Sequence, residues 1–130
     1  MYNPDLFIER MKYARADYTA AEQLTAHYPV QLEIICYHCQ QTGEKALKAI
    51  LAYYDKQIPR AHNLNDLLQS CAAHDPKIMK KFILQADHIT NFAVITRYPN
   101  EEMKVTEADM QLALMYANEI LSYVEALIDG

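Results

Sequence analysis

The five prolines of this chain constrain its fold most strongly, because each one lies at a break in a helical pattern of apolar residues. A proline lacks a backbone N–H and disfavours helical geometry in the residue before it, so prolines gather where helices begin or end. Between the breaks, apolar residues recur every three or four positions, and no stretch alternates with period two long enough to form a strand. We therefore predict an all-α fold, an antiparallel up-and-down bundle of four long helices and one short helix. The breaks lie at Pro4, Pro29, Pro59, Pro76 and Pro99.

The predicted helix starts rest on short polar residues that act as caps. Asn3 is expected to cap the first helix and Asn63 or Asn65 the third, because such side chains accept hydrogen bonds from the first free N–H groups. Thr106 and Asp109 form a variant capping box at the start of the fifth helix. The predicted spans are about residues 4–27, 31–54, 63–73, 76–94 and 106–127.

The composition agrees with a single helical domain over residues 1–130. Apolar residues make up 52% of the chain and charged residues 22%, a balance typical of a protein that buries a core. Only two glycines occur, which excludes a glycine-rich phosphate loop or a dinucleotide fingerprint. We expect a cytoplasmic protein with no membrane contact, since there is no export signal and no apolar stretch of about 18 residues. The three cysteines are then expected to be reduced thiols.

Charge is distributed unevenly along the chain. The formal net charge of −5 disfavours a protein that coats nucleic acid by bulk electrostatics. Residues 99–130 hold seven acidic residues and one lysine, net −6, whereas residues 1–98 hold eleven basic and ten acidic residues, net +1. The first part of the chain can therefore still present a local basic surface.

The second predicted helix carries a polar stripe with Lys45 on its flank. Its members follow one another at four, three and four residues, so they share one helix face. One interpretation is a solvated face on which a Glu–Lys pair contributes about 0.2–0.5 kcal/mol. The other is a polar cleft between helices in which lysines bind phosphate. On the first helix, Arg10 and Asp17 are expected to face water. The stripe consists of Tyr37, Gln41, Glu44 and Lys48.

Several segments resemble the HEPN domain family. Residues 37–51, YHCQQTGEKALKAIL, look like the family's second helix, and their Gln-x-x-Glu-Lys-x-x-Lys-Ala core is the most specific part. Residues 14–18 with Ala21 resemble its first helix, residues 62–64 the entry to its short helix, and residues 97–99 the turn before its last helix. The resemblance covers nearly the whole chain in order.

The resemblance implies a four- or five-helix bundle that is usually dimeric and often encoded beside a minimal nucleotidyltransferase. Some members of the family are ribonuclease toxins, in which an Arg and a His separated by four to six residues meet in a cleft shared by the dimer. After Arg97 the corresponding positions hold Glu102, Met103 and Lys104, so that histidine is missing. No imidazole is then evident there to take the 2′-hydroxyl proton during RNA cleavage.

We therefore predict a nucleotide-binding or RNA-end-binding domain with no catalytic residue, metal or cofactor of its own. The lysines and the arginine are expected to bind phosphate, because charged donors make the strongest hydrogen bonds to it. The glutamine and the first tyrosine would orient the rest of the ligand, the glutamate would hold the lysines, and base stacking is expected only at the two tyrosines. The candidate residues are Tyr37, Gln41, Glu44, Lys45, Lys48, Arg97 and Tyr98.

A homodimer is expected because the helices are apolar over wide arcs, and a partner nucleotidyltransferase would supply the metal and the chemistry in a toxin–antitoxin or regulatory pair. Two alternatives stay open: a metal-independent endoribonuclease toxin that lacks the usual Arg/His motif, and a structural dimerisation module.

Arg97 also has a structural interpretation, because an arginine at a helix end bonds the last free carbonyls. Cys36-x-x-Cys39 and Cys71-x-x-His74 offer four zinc-type ligands, but their helical setting favours buried thiols.

Overall fold

Five α-helices make up the computed structural model, which describes residues 2–60, 63–97 and 105–129. Four of them have 21 to 23 residues and one has 9 residues. Within these ranges there is no strand, and no helix is long and apolar enough to span a bilayer. The predicted all-α bundle of four long helices and one short helix is confirmed. The helices are α1 (Pro4–Leu24), α2 (Leu32–Tyr53), α3 (Leu64–Ala72), α4 (Lys77–Arg97) and α5 (Glu107–Asp129).

Local caps start α1 and α3, as the sequence predicts. The Asn3 side chain accepts a hydrogen bond from the N–H of Leu6 at 3.1 Å and caps α1. Asn63 caps α3 by accepting from the N–H of Asn65 at 2.8 Å, which decides between the two predicted caps. Each such cap contributes about 1 kcal/mol to stability, because it satisfies a donor that the helix itself leaves free.

Two predicted helix ends differ from the structure. α1 ends at Leu24 rather than near His27, because the N–H groups of residues 25–27 donate to carbonyls three residues back, each at 3.2 Å, and close a tighter turn. α4 continues to Arg97, beyond the predicted end near Val94. A proline two positions later restricts only the residue directly before it, so helical geometry can continue that far.

α2 is the central helix, with α1 along one side and α3, α4 and α5 around the others. Its single glycine, Gly43, permits a close approach on the side of α3 and α5. A Cβ atom there would lie 3.1 Å from Leu64 Cδ1 and 3.8 Å from Ile120 Cδ1. The largest fully buried side chains are Phe82, Ile35, Leu47, Ile50, Leu51, Leu64, Leu67, Leu68, Ile78, Ile89, Ile120 and Leu121.

Among the described residues, α1 packs against α2 more extensively than any other two helices pack together. Both helices bury small side chains completely: Ala14 and Ala21 on α1, and Ala46 and Ala49 on α2. Small residues let two helix backbones approach closely, so the longer polar side chains beside them are drawn together. This contact positions the candidate site.

Candidate functional site

Polar side chains of α1 and α2 meet along the seam between the two helices. On α1, Arg10, Tyr13 and Asp17 follow one another at three and four residues and therefore share a face. The prediction that Asp17 faces water is wrong, because α2 covers it and leaves its side chain only 13% exposed. Arg10 is also partly covered, and its Nε atom is shielded from solvent.

A pocket of about 190 Å³ opens at one end of this seam. Pockets for drug-sized ligands usually measure about 300–1,000 Å³, so this one has room for a group such as phosphate rather than for a whole nucleotide. Tyr13 is 56% exposed, which leaves its ring available to a larger ligand on the surface. We call this feature the cation pocket; it is lined by Arg10, Tyr13, Lys45 and Lys48.

Lys45 is held by α1 and not by its own helix. Its Nζ lies 2.5 Å from Asp17 Oδ2, across the seam. The other carboxylate oxygen, Asp17 Oδ1, lies 2.9 Å from Nδ1 of His38. The prediction that Glu44 holds both lysines is therefore wrong for Lys45, whose ion-pair partner among the described residues is Asp17.

Lys48 does pair with Glu44, and the carboxylate of this pair is buried. Lys48 Nζ donates to Glu44 Oε1 at 2.8 Å, and the glutamate side chain is only 6% exposed. Gln40 and Gln41 donate through Nε2 to Glu44 Oε2 at 3.2 and 3.4 Å. A buried carboxylate needs such donors, so Glu44 does not belong to a solvated face. Gln41 here supports the carboxylate that fixes Lys48.

The other predicted site residues lie outside the cation pocket or outside the described residues. Tyr37 is 48% exposed, and its ring meets that of His38 edge to face at a centroid distance of 5.8 Å. It does not line the cation pocket. Arg97 is the last residue of α4, but its side chain lies outside the described residues, as do Tyr98 and His62.

Sequence reasoning missed Arg10 and Tyr13 as site residues. Within the described part of the chain, the shielded Nε of Arg10 has no hydrogen-bond acceptor, and no carboxylate lies within 4.0 Å of its guanidinium. An arginine whose charge is not neutralised nearby favours an anionic ligand. The signal that could have found it is the polar spacing on α1, where Arg10, Tyr13 and Asp17 repeat the pattern of the α2 stripe.

A comparison with known protein families identifies the family of this chain. The HEPN domain profile matches residues 8–127, which is nearly the full length. The chain belongs to the HEPN domain family. HEPN is a helical domain of nucleotide-binding and ribonuclease-type proteins, and HEPN domains often dimerise. A search of curated proteins found no match.

The three cysteines of this HEPN domain are buried core residues. Burial raises the pKa of Cys36 and of Cys71 to about 12 and raises that of Cys39 as well. The Cys71 thiol donates to the carbonyl of Leu47 at 3.3 Å, while His74 stacks on a tyrosine ring. The described residues contain no group of three or more His, Cys, Asp or Glu side chains placed to hold a metal ion. Thiols held neutral in this way act as small apolar side chains.

Proposed function

We propose that this HEPN domain binds a nucleotide or an RNA end, with a phosphate in the cation pocket. The observation that carries the proposal is the convergence of three cationic side chains from two helices, Arg10, Lys45 and Lys48, on one phosphate-sized pocket. The two lysines form ion pairs with Asp17 and Glu44, so these five charged side chains have a net charge of +1. Hydrogen bonds from charged donors contribute about 1.5–3 kcal/mol each, which makes such a pocket selective for an anion.

The remaining candidate residues extend this proposal along the seam. Tyr13 is placed to contact the sugar or base next to a bound phosphate. Tyr37 lies eight residues before Lys45 on α2, about 12 Å along the helix axis, so only a ligand longer than a mononucleotide would reach both. Arg97 and Tyr98 remain proposed contacts, on the strength of the family resemblance alone.

A titration with ATP, AMP and adenosine tests the proposal, with a matched pair of variants. Arg10→Gln removes a pocket cation that has no ion pair among the described residues, so binding should weaken at least about tenfold, the equivalent of 1.4 kcal/mol. Lys12→Gln removes the same charge from an exposed position of the same helix and should leave the affinity nearly unchanged. The proposal fails if ATP binds no better than adenosine, or if the two variants behave alike.

We also propose that the domain forms a homodimer and is the partner of a minimal nucleotidyltransferase in a toxin–antitoxin or regulatory pair. The support is the family, whose members often dimerise. Light scattering on the purified protein measures the first part, and a monomer at micromolar concentration would contradict it. Co-purification with the product of a neighbouring nucleotidyltransferase gene measures the second, and separate elution of the two proteins would contradict it.

The two alternatives make different predictions. An endoribonuclease would cleave RNA without metal, and Arg97→Ala would abolish the cleavage. RNA that stays intact rejects this alternative. A structural dimerisation module would dimerise or bind a protein partner while showing no phosphate-dependent affinity, so the ATP titration separates it from the proposed function.

A further inference from the structure

We infer that Asp17 and His38 couple the cation pocket to pH, so that protonation of His38 strengthens anion binding at Arg10, Lys45 and Lys48. The inference rests on the proposed function, because it concerns the regulation of the same pocket. Asp17 and His38 do not line the pocket themselves, and they act on it through Lys45.

The Asp17 carboxylate contacts two side chains of α2, His38 and Lys45. Oδ1 lies 2.9 Å from His38 Nδ1, and Oδ2 lies 2.5 Å from Lys45 Nζ. Because the carboxylate is largely covered, solvent and salt screen these contacts less than they screen a surface pair. A change in the charge of the His38 imidazole therefore alters the strength of the ion pair between Lys45 and the other Asp17 oxygen.

The charge balance gives the direction of the effect. With a neutral imidazole, Arg10, Lys45 and Lys48 face Asp17 and Glu44, and the net charge is +1. A proton on the ring raises this to +2 and gives the carboxylate a second cation, so Lys45 is held less firmly and is freer to contact an anion. Histidine is the side chain that gains its charge between pH 5 and 8. Anion affinity should therefore rise when the His38 imidazole gains a proton.

Among the described residues, Asp17 is the one group that forms an ion pair with His38. From α1 the ring faces Asp17, and from its own helix it faces Tyr37 and, through the shared carboxylate, Lys45. Within the described residues, no charged group of α5 lies within 4.0 Å of the ring. The His38 side chain is 27% exposed, so a proton can reach it without unfolding of the bundle.

Sulfate is the appropriate probe, because it keeps both negative charges over this pH range whereas phosphate itself titrates there. We expect the dissociation constant of the wild-type protein for sulfate to fall about three- to tenfold between pH 8 and pH 5.5, the effect of one added charge at close range in a partly solvated site. His38→Gln should remove this pH dependence. His27→Gln, at an exposed position in the loop after α1, should retain it. Asp17→Asn should bind sulfate more tightly at pH 8 and respond less to acid.

A second measurement on the wild-type protein covers the case in which a variant fails to fold. By linkage, bound sulfate must shift the midpoint of the His38 titration to higher pH by the same factor, which NMR of the imidazole measures directly. A pH-independent affinity, a pH dependence that survives His38→Gln, or an unmoved His38 midpoint overturns the inference and leaves the proposed function standing. No saturable sulfate or nucleotide binding at either pH overturns the proposed function itself.

Discussion

At the scale of single residues, the charged groups along the seam differ in what holds them. Glu44 is a buried carboxylate that accepts hydrogen bonds from its own helix, among them one from the ammonium of Lys48. Arg10, by contrast, has no ion pair within the described residues. Removing one partner of a buried pair costs more than the pair itself contributes, because the other partner stays desolvated. Substitutions can thus distinguish residues that stabilise the pocket, such as Glu44, from residues proposed to bind the ligand, such as Arg10.

Glu44→Gln should lower the free energy of unfolding by about 1–3 kcal/mol, because it leaves the Lys48 ammonium without its anion. The matched control is Glu33→Gln, an exposed glutamate in the first turn of the same helix, for which a change within about 0.5 kcal/mol is expected. Urea denaturation followed by circular dichroism measures both. Equal losses in the two variants would contradict the buried role of Glu44.

At the scale of helices, the start of α5 is fixed by a reciprocal capping box. Thr106 Oγ1 accepts from the N–H of Asp109 at 3.1 Å, and the Asp109 carboxylate accepts from the N–H of Thr106 at 3.0 Å. Aspartate thus performs the role that glutamate usually has in this motif. Two donors that α5 would otherwise leave free are therefore satisfied by residues three positions apart.

Thr106→Ala should lower the free energy of unfolding by about 0.5–2 kcal/mol, because one helix-start donor loses its acceptor and the return bond loses its support. Ser122→Ala, on the exposed face of the same helix, replaces a hydroxyl by a better helix former and should change stability little. Thermal or urea unfolding of the two variants tests this. A Thr106→Ala protein as stable as the Ser122→Ala protein would show that the box is not needed.

At the scale of the whole molecule, several groups between the helices are held in their neutral form. Burial raises the pKa of Cys36 and Cys71 to about 12. Burial and a hydrogen bond to Asp75 at 2.5 Å raise the pKa of Tyr123 to about 12. An acid that keeps its proton in the folded state but loses it in the unfolded state makes stability fall as pH rises above the unfolded pKa, about 8.5 for cysteine and about 10 for tyrosine.

The free energy of unfolding should therefore decline from about pH 8.5 upward and continue to decline toward about pH 12, where the folded-state groups begin to ionise. Urea titrations in reducing buffer between about pH 7 and pH 11 measure this slope. Tyr123→Phe should flatten the part above about pH 10, whereas Tyr28→Phe, at a position 92% exposed, should not. A free energy of unfolding that stays constant from neutral to alkaline pH would contradict the raised pKa values of these buried groups.

Sequence alone located the starts of three helices and one ion pair of α2. Asn3, Asn63 and the Thr106–Asp109 box act on N–H groups within three residues, so their effect is local and can be read from the chain. The Glu44–Lys48 pair is also local, because four residues on a helix bring two side chains together. The family resemblance pointed to the same helix, and the profile match over residues 8–127 confirmed the family.

Only the tertiary structure decided what those α2 residues face. The periodicity of α1 shows that Arg10 and Asp17 share one side of a helix, but not that this side lies against α2 rather than against water. α1 packs against α2 in the folded chain, so Asp17 has Lys45 as its partner and Arg10 lines the cation pocket. Helix geometry is set by neighbours in the chain, whereas burial and charge pairing are set by whichever helix packs against the other, and a pocket built from two helices depends on both.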